Sequence, residues 1–178
     1  TVLTTTEGDL DFQTYFVGRQ CQPEVLSIDF KGAAEATPAP DLIEFIKRGC
    51  DSVILGPSNP YLSLAPMLAI SGIVDALAGA APVVAVSPIV AGAAVKGPLA
   101  KLMIERGLKP TAISWVDEVK AMYPGLVDLW VLDSRDQAAA EMLRLRGEKV
   151  VECDTLMTDT TQKIALASQL VEEVKRFV

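Results

Sequence analysis

Four short, mostly apolar runs, residues 52–55, 83–86, 127–132 and 149–153, recur along the chain, each followed by loop residues and then by a helical pattern. A run of four to six apolar residues without polar alternation reads as a strand buried on both faces, and parallel strands need a long crossover between them, usually a helix. The alternation therefore predicts an α/β fold, an open, mostly parallel Rossmann-like sheet with helices on both faces. Helix ends are legible. Gly97-Pro98 puts proline where a helix starts, and Asp133 or Ser134 can cap the alanine-rich stretch that ends at Gly147. The last helix repeats Ile164, Ala167, Val171 and Val174, a stripe spaced to pack on the sheet, and Asp159 or Thr160 stands where its cap should fall.

Residues 1–31 differ: a β-rich start at Val2 to Thr5, a Glu7-Gly8 turn, the aromatic cluster Phe12, Tyr15 and Phe16, then the alternating run from Val25 to Phe30. They read as a β-rich segment belonging to an insertion or lid, with residues 32–178 forming the C-terminal part of a Rossmann-like nucleotide-binding domain. Because Thr1 is followed at once by a strand, without a polar lead, the reading places the start in mid-protein, as a fragment of a larger domain. After an Ala/Thr/Pro-rich connector, Asp41 opens an amphipathic helix with apolar Leu42, Ile43, Phe45 and Ile46.

The 178 residues carry 23 acidic and 16 basic side chains, a net charge of −7, with no basic run, which argues against nucleic-acid partners. The longest apolar window, from Leu62 to Val90, is interrupted by Ser71, Gly72, Asp75, Gly79 and Pro82, so no membrane span is expected. Histidine is absent, which excludes Ser-His-Asp and Cys-His nucleophilic schemes and His-based zinc sites within this chain. Cys21, Cys50 and Cys153 are odd in number and far apart, as reduced structural thiols of a cytoplasmic protein would be.

Ligands of an open parallel sheet bind outside the carboxyl ends of its strands, where loops and helix N-termini converge. The first such loop holds Gly56, Pro57, Ser58, Asn59 and Pro60. Its backbone can approach an oxyanion closely, with Ser58 and Asn59 supplying hydrogen bonds; it can equally be a tight connection with Asn as turn residue and Ser as cap. The second, residues 87–98, is long for a βα connector and carries one cation, Lys96, before Gly97-Pro98. The macrodipole disfavours a lysine there, so an anionic ligand shared with backbone N–H groups would explain it; a solvated lysine beside a structural Gly-Pro is the alternative. The third spans Asp133 to Asp136. In the fourth, Asp154 and Thr155 remain as metal or ribose contacts once capping is assigned. Trp115, Tyr123 and Trp130 read as core or interface.

Ile54-Leu55-Gly56-Pro57-Ser58-Asn59-Pro60, Pro82-Val83-Val84-Ala85-Val86-Ser87-Pro88-Ile89, Val95-Lys96-Gly97-Pro98 with Lys101-Leu102-Met103, and Asp154-Thr155-Leu156-Met157 follow one another in an order and spacing that resemble the 2-phospho-L-lactate transferases of coenzyme F420 biosynthesis. Phe12-Gln13, Tyr15-Phe16 and Glu24-Val25 add to the match. The resemblance implies a transferase moving a 2-phospholactyl-type group from a guanylyl diphosphate donor to the deazaflavin Fo, releasing GMP, with magnesium. Members are longer than this chain and carry a Gly-Gly-Thr-Gly loop and acidic metal ligands in a part absent here, so the Mg2+ ligands are expected in that part. On this reading Gly56, Pro57, Ser58, Asn59, Ser87, Pro88, Gly97, Asp154 and Thr155 bind nucleotide or substrate, Lys96 is the charge stabiliser, and a homodimer is the assembly to test. The rival is a non-catalytic, UDP-sugar-binding regulatory protein of the sister family, whose first loop instead reads Gly-Pro-Gly-Ser. A third possibility is a purely structural domain of a larger assembly.

Overall fold

The computed structural model describes residues 1–79, 81–94 and 97–177. Strands β1 (Val2–Thr5), β2 (Gly8–Asp11) and β3 (Val25–Asp29) form an antiparallel sheet in the order β2-β1-β3. Thr5 faces Gly8 in the register, so the β1–β2 turn falls at Thr6-Glu7, one residue earlier than the sequence suggested, with Gly8 at φ 106°. Leu3 and Tyr15 are buried beneath this sheet, and Phe12 stacks on Phe16 at 5.3 Å.

The parallel sheet consists of β4 (Val53–Leu55), β5 (Val83–Val86), β8 (Leu129–Asp133) and β9 (Val150–Cys153), in the order β4-β5-β8-β9. All residues of β5 and β8 are buried, as expected of central strands covered on both faces. Between them in the chain lie a two-stranded hairpin, β6 (Ile89–Val90) and β7 (Ala93–Ala94), and the helices α4 (Leu99–Glu105) and α5 (Ala112–Met122). Helices α1 (Pro40–Arg48), α2 (Ala65–Leu68), α3 (Ile73–Ala78) and α6 (Gln137–Leu145) complete the face that α4 and α5 also cover. Its centre is the edge-to-face pair of Trp115 and Trp130, 5.5 Å apart and both buried, as the core reading of these residues anticipates.

The opposite face is covered by α7 (Thr160–Phe177), through Leu166, Leu170 and Val174 against Val84, Val86, Leu129 and Val131. This corrects the stripe read from sequence. Val174 belongs to both sets, but Ile164 is 62% exposed, Val171 47% exposed, and Ala167 lies on the surface. The helix carries two apolar rows of helical spacing, and the one packed on β5 and β8 is the row of Leu166, Leu170 and Val174. Ile164→Lys is therefore expected to change stability by less than about 0.5 kcal/mol in denaturant titration. A loss of about 2 kcal/mol would return Ile164 to the core.

Helix α1 also packs less deeply than its pattern implies. Ile46 is buried, whereas Phe45 is 63% exposed and lines a groove beside the edge strand β4 with Ile54, Val171 and Val174. The three cysteines are free, and burial pushes the Cys153 thiol up to about 11, so it is an inert core residue at neutral pH. Among the described residues no helix is long and apolar enough to cross a membrane.

Candidate functional site

Because β4, β5, β8 and β9 are parallel, their carboxyl ends meet at one edge, where the chain turns away into loops. Those loops enclose a cleft of about 470 Å³ lined by Pro57 and Asn59 after β4, Ser87, Pro88 and Val90 after β5, Leu99 at the start of α4, and residues 155–158 after β9. Every one of these lining side chains is uncharged. Among the described lining residues a phosphate placed here would meet hydrogen-bond donors but no cation.

Asn59 is the most informative member. Its Oδ1 accepts from the N–H groups of Tyr61 (2.9 Å) and Leu62 (3.2 Å), capping a short wide helical turn over Pro60–Leu64. Two N–H donors on one side-chain atom identify that atom as the oxygen and leave the amide nitrogen on the other side. That Nδ2 is buried and has no hydrogen-bond partner among the described residues. The turn-residue and ligand-contact alternatives are thus both available to one side chain, the oxygen spent on the fold and the nitrogen left over. Ser58, the other expected contact, does not line the cleft.

Gly56 is exposed, and among the described residues a Cβ added there would meet nothing within 4 Å, so the fold itself does not demand glycine at this point. Ser87 reaches the cleft, but its Oγ accepts from Ile89 N–H at 3.1 Å and lies 3.4 Å from Ile89 O, which makes it a turn-stabilising group more than a free donor. Pro88 forms wall. Gly97 adopts φ 69°, a conformation that favours glycine, just ahead of Pro98 and α4. Lys96, with Val95, lies outside the described residues.

The fourth loop is organised by a residue that sequence reading treated only as a cap. Asp133, at the end of β8 and fully buried, accepts from the N–H and Oγ1 of Thr155, both at 2.9 Å, from the backbone of Arg135 at 3.0 Å, and from its guanidinium through Nε (2.6 Å) and Nη2 (3.0 Å). Burial alone would raise this carboxyl; the hydrogen bonds from Arg135 and Thr155 outweigh it and hold it below the ordinary carboxylate range. Asp154 is exposed and pairs with Arg135 at 2.7 Å, beside a smaller hollow rather than in the main cleft. Asp159 accepts from Gln162 N–H at 2.9 Å and caps α7, as anticipated.

These assignments bear on magnesium. Among the described residues no group of three or more carboxylates, cysteines or histidines could hold a metal ion. Asp133, Asp136 and Asp154 are each engaged by N–H groups or by Arg135. A Mg2+ ion bound by any of these three carboxylates would have to displace such a contact.

The antiparallel sheet is tied to the same region. Lys101 of α4 donates to Pro23 O at 2.7 Å and pairs with Glu105, while its ammonium lies 5.9 Å from the centre of the Tyr15 ring. Helix α4, which begins at the cleft with Leu99, is thus one point where residues 1–31 attach.

The family model described as 2-phospho-L-lactate transferase CofD matches residues 1–171. The chain is 37% identical over 171 residues to the 2-phospho-L-lactate transferase of Methanosarcina barkeri, covering 96% of this chain and 53% of that protein. It is 36% identical over 180 residues to that of Methanopyrus kandleri, covering 100% and 55%. To the phosphoenolpyruvate transferase of Streptomyces griseus it is 35% identical over 181 residues, covering 98% and 56%. The chain thus spans about half the length of the curated relatives it matches. With the parallel sheet, the carboxyl-edge cleft and a match running through all the loops that build it, the chain belongs to the 2-phospho-L-lactate transferase CofD family.

Proposed function

We propose that this chain forms the acceptor-and-donor cleft of a transferase that moves a three-carbon phospho-acid group, 2-phospholactyl or phosphoenolpyruvyl, from a guanylyl diphosphate donor to the deazaflavin Fo. In that reaction an Fo hydroxyl oxygen forms a bond to the phosphorus bearing the acid, the phosphoanhydride bond breaks, GMP leaves with the bridging oxygen, and the hydroxyl proton is released. Enzymes promote such displacements chiefly by positioning and charge stabilisation, so a chain without histidine is not disqualified. The observation that carries the reading is the unpartnered Asn59 Nδ2 at a carboxyl-edge cleft, a buried donor that a ligand oxygen would satisfy.

Lys96 is assigned the developing charge on the phosphates. Mg2+, where the reaction uses it, would be held by residues beyond the described ones. Both acids remain in the proposal because relatives of comparable identity carry the two names.

The test is GMP release by the full-length protein with Fo and each guanylyl diphosphate donor in turn. Turnover with one donor and not the other identifies the acid; no GMP from either, with Fo and magnesium present, would sink the reading. In the same assay Lys96→Ala is expected to lower kcat/KM about tenfold or more, the worth of one charge-assisted contact. Equal values in variant and parent would remove Lys96 from the mechanism.

A further inference from the structure

The two-residue turn between β6 and β7 is formed by Ala91 and Gly92, at φ 51° and 71°. A tight hairpin of this kind needs both residues left-handed, which glycine tolerates and alanine does at a cost of about 1 to 2 kcal/mol. Asparagine would relieve the cost with a local hydrogen bond; alanine has none to offer. The strain is instead held from outside. The two carboxylate oxygens of Asp136 accept separately from the N–H groups of Ala91 and Gly92, each at 2.9 Å. Strained backbone persists where its surroundings over-determine it, and it concentrates at functional sites.

The hairpin is also a wall of the cleft. Ile89 is anchored in the core, Val90 lines the cleft, and the strand partners Ile89 with Ala94 and Val90 with Ala93 before the chain continues to Leu99, another wall residue. Asp136 lies one helical turn past Asp133, at the end of the 3₁₀ segment Ser134–Asp136. Asp133 holds Thr155 on one side of the cleft; Asp136 holds the Ala91-Gly92 turn on the other.

We infer that the segment from Asp133 to Asp136 is a two-armed brace that sets the spacing of the cleft walls, and that Asp136 is a positioning residue, acting on bound donor through the β6–β7 hairpin. The inference rests on the transferase reading for its kinetic consequence and on the hairpin geometry for its structural one, and the two are measured separately. In the full-length protein, Asp136→Ala is expected to speed amide exchange at Ala91 and Gly92 about tenfold or more. It should raise the donor KM about tenfold while kcat changes less than threefold, because the reacting groups are intact and only the wall is loose. Asp136→Asn keeps one acceptor oxygen and should fall between. Adding Ala91→Gly to Asp136→Ala should recover thermal stability, since it removes the strain, but not KM, since the tether stays missing. A purely structural Asp136 would show both recovered together, and that outcome overturns the positioning role. So does unchanged exchange at Ala91 and Gly92 in either single variant. A parent protein that releases no GMP refutes the transferase reading instead, and the exchange measurement then decides the brace alone.

Discussion

Asn59→Asp should keep the cap on the Pro60–Leu64 turn while lowering affinity for a guanylyl diphosphate donor several-hundredfold. Aspartate is as good an N-cap as asparagine, so the N–H groups of Tyr61 and Leu62 keep their acceptor. The change falls on the other atom. A buried amide donor becomes a carboxylate oxygen facing an anionic ligand, which removes a hydrogen bond worth about 1 to 3 kcal/mol and adds like-charge repulsion in a cleft whose described lining is uncharged. Asn59→Ala, by contrast, should lose cap and ligand contact together, lowering stability by about 1 kcal/mol as well as affinity. Calorimetry on the full-length protein with the donor separates the cases. If Asn59→Asp binds as tightly as the parent, Asn59 is a cap and nothing more.

Asp133→Ala is expected to destabilise the protein by about 3 kcal/mol, near 10 °C in Tm for a chain of this size. The loss comes mainly from Thr155, whose N–H and hydroxyl are left without a partner in a buried position. Arg135 contributes less, because its side chain is 42% exposed, can rehydrate, and still has Asp154. Asp133→Asn retains an acceptor but no charge and should cost about half as much. The sign of the pH dependence follows. The folded-state carboxyl is held below its ordinary value, so its stabilisation is present above the unfolded pKa of about 4 and is lost as pH falls through the lower folded value. The parent should therefore lose more stability than Asp133→Asn as pH falls below about 4. Parallel acid titrations of the two proteins, followed by circular dichroism, check this; curves of the same shape would show that Asp133 is not charged in the fold.

The four parallel strands were legible because burial on both faces removes polar residues from a strand, and such runs stand out wherever they occur. Val83–Val86 was placed to the residue, and the other three shifted only at their ends. The carboxyl-edge loops were legible for a related reason: strand direction alone fixes which loops converge. Pro57, Asn59, Ser87, Pro88 and Thr155 do line one cleft, while Gly56, Ser58, Gly97 and Asp154 do not. Nothing in the local pattern distinguishes the two sets, because lining a cleft depends on the direction in which a loop leaves the sheet.

Asp133 and Asp136 were placed in an edge loop, but no role beyond capping at Asp133 was read for them. An acid at the end of the wholly apolar Leu129-Trp130-Val131-Leu132 run, with a second acid three residues on, was the available signal, and capping absorbed it.

What the sequence by itself determined is the class of fold, the strand positions and the edge where the loops converge, which follow from local composition and the order of elements along the chain, and the family, which follows from the resemblance of its motifs. Only the tertiary structure decided which row of α7 is buried, which atom of Asn59 is spare, and which carboxylates brace the cleft. Each of those depends on atoms brought together from distant segments, Thr155 to Asp133 or Ala91 to Asp136, and a hydrogen bond between them has no counterpart in the spacing of residues along the chain.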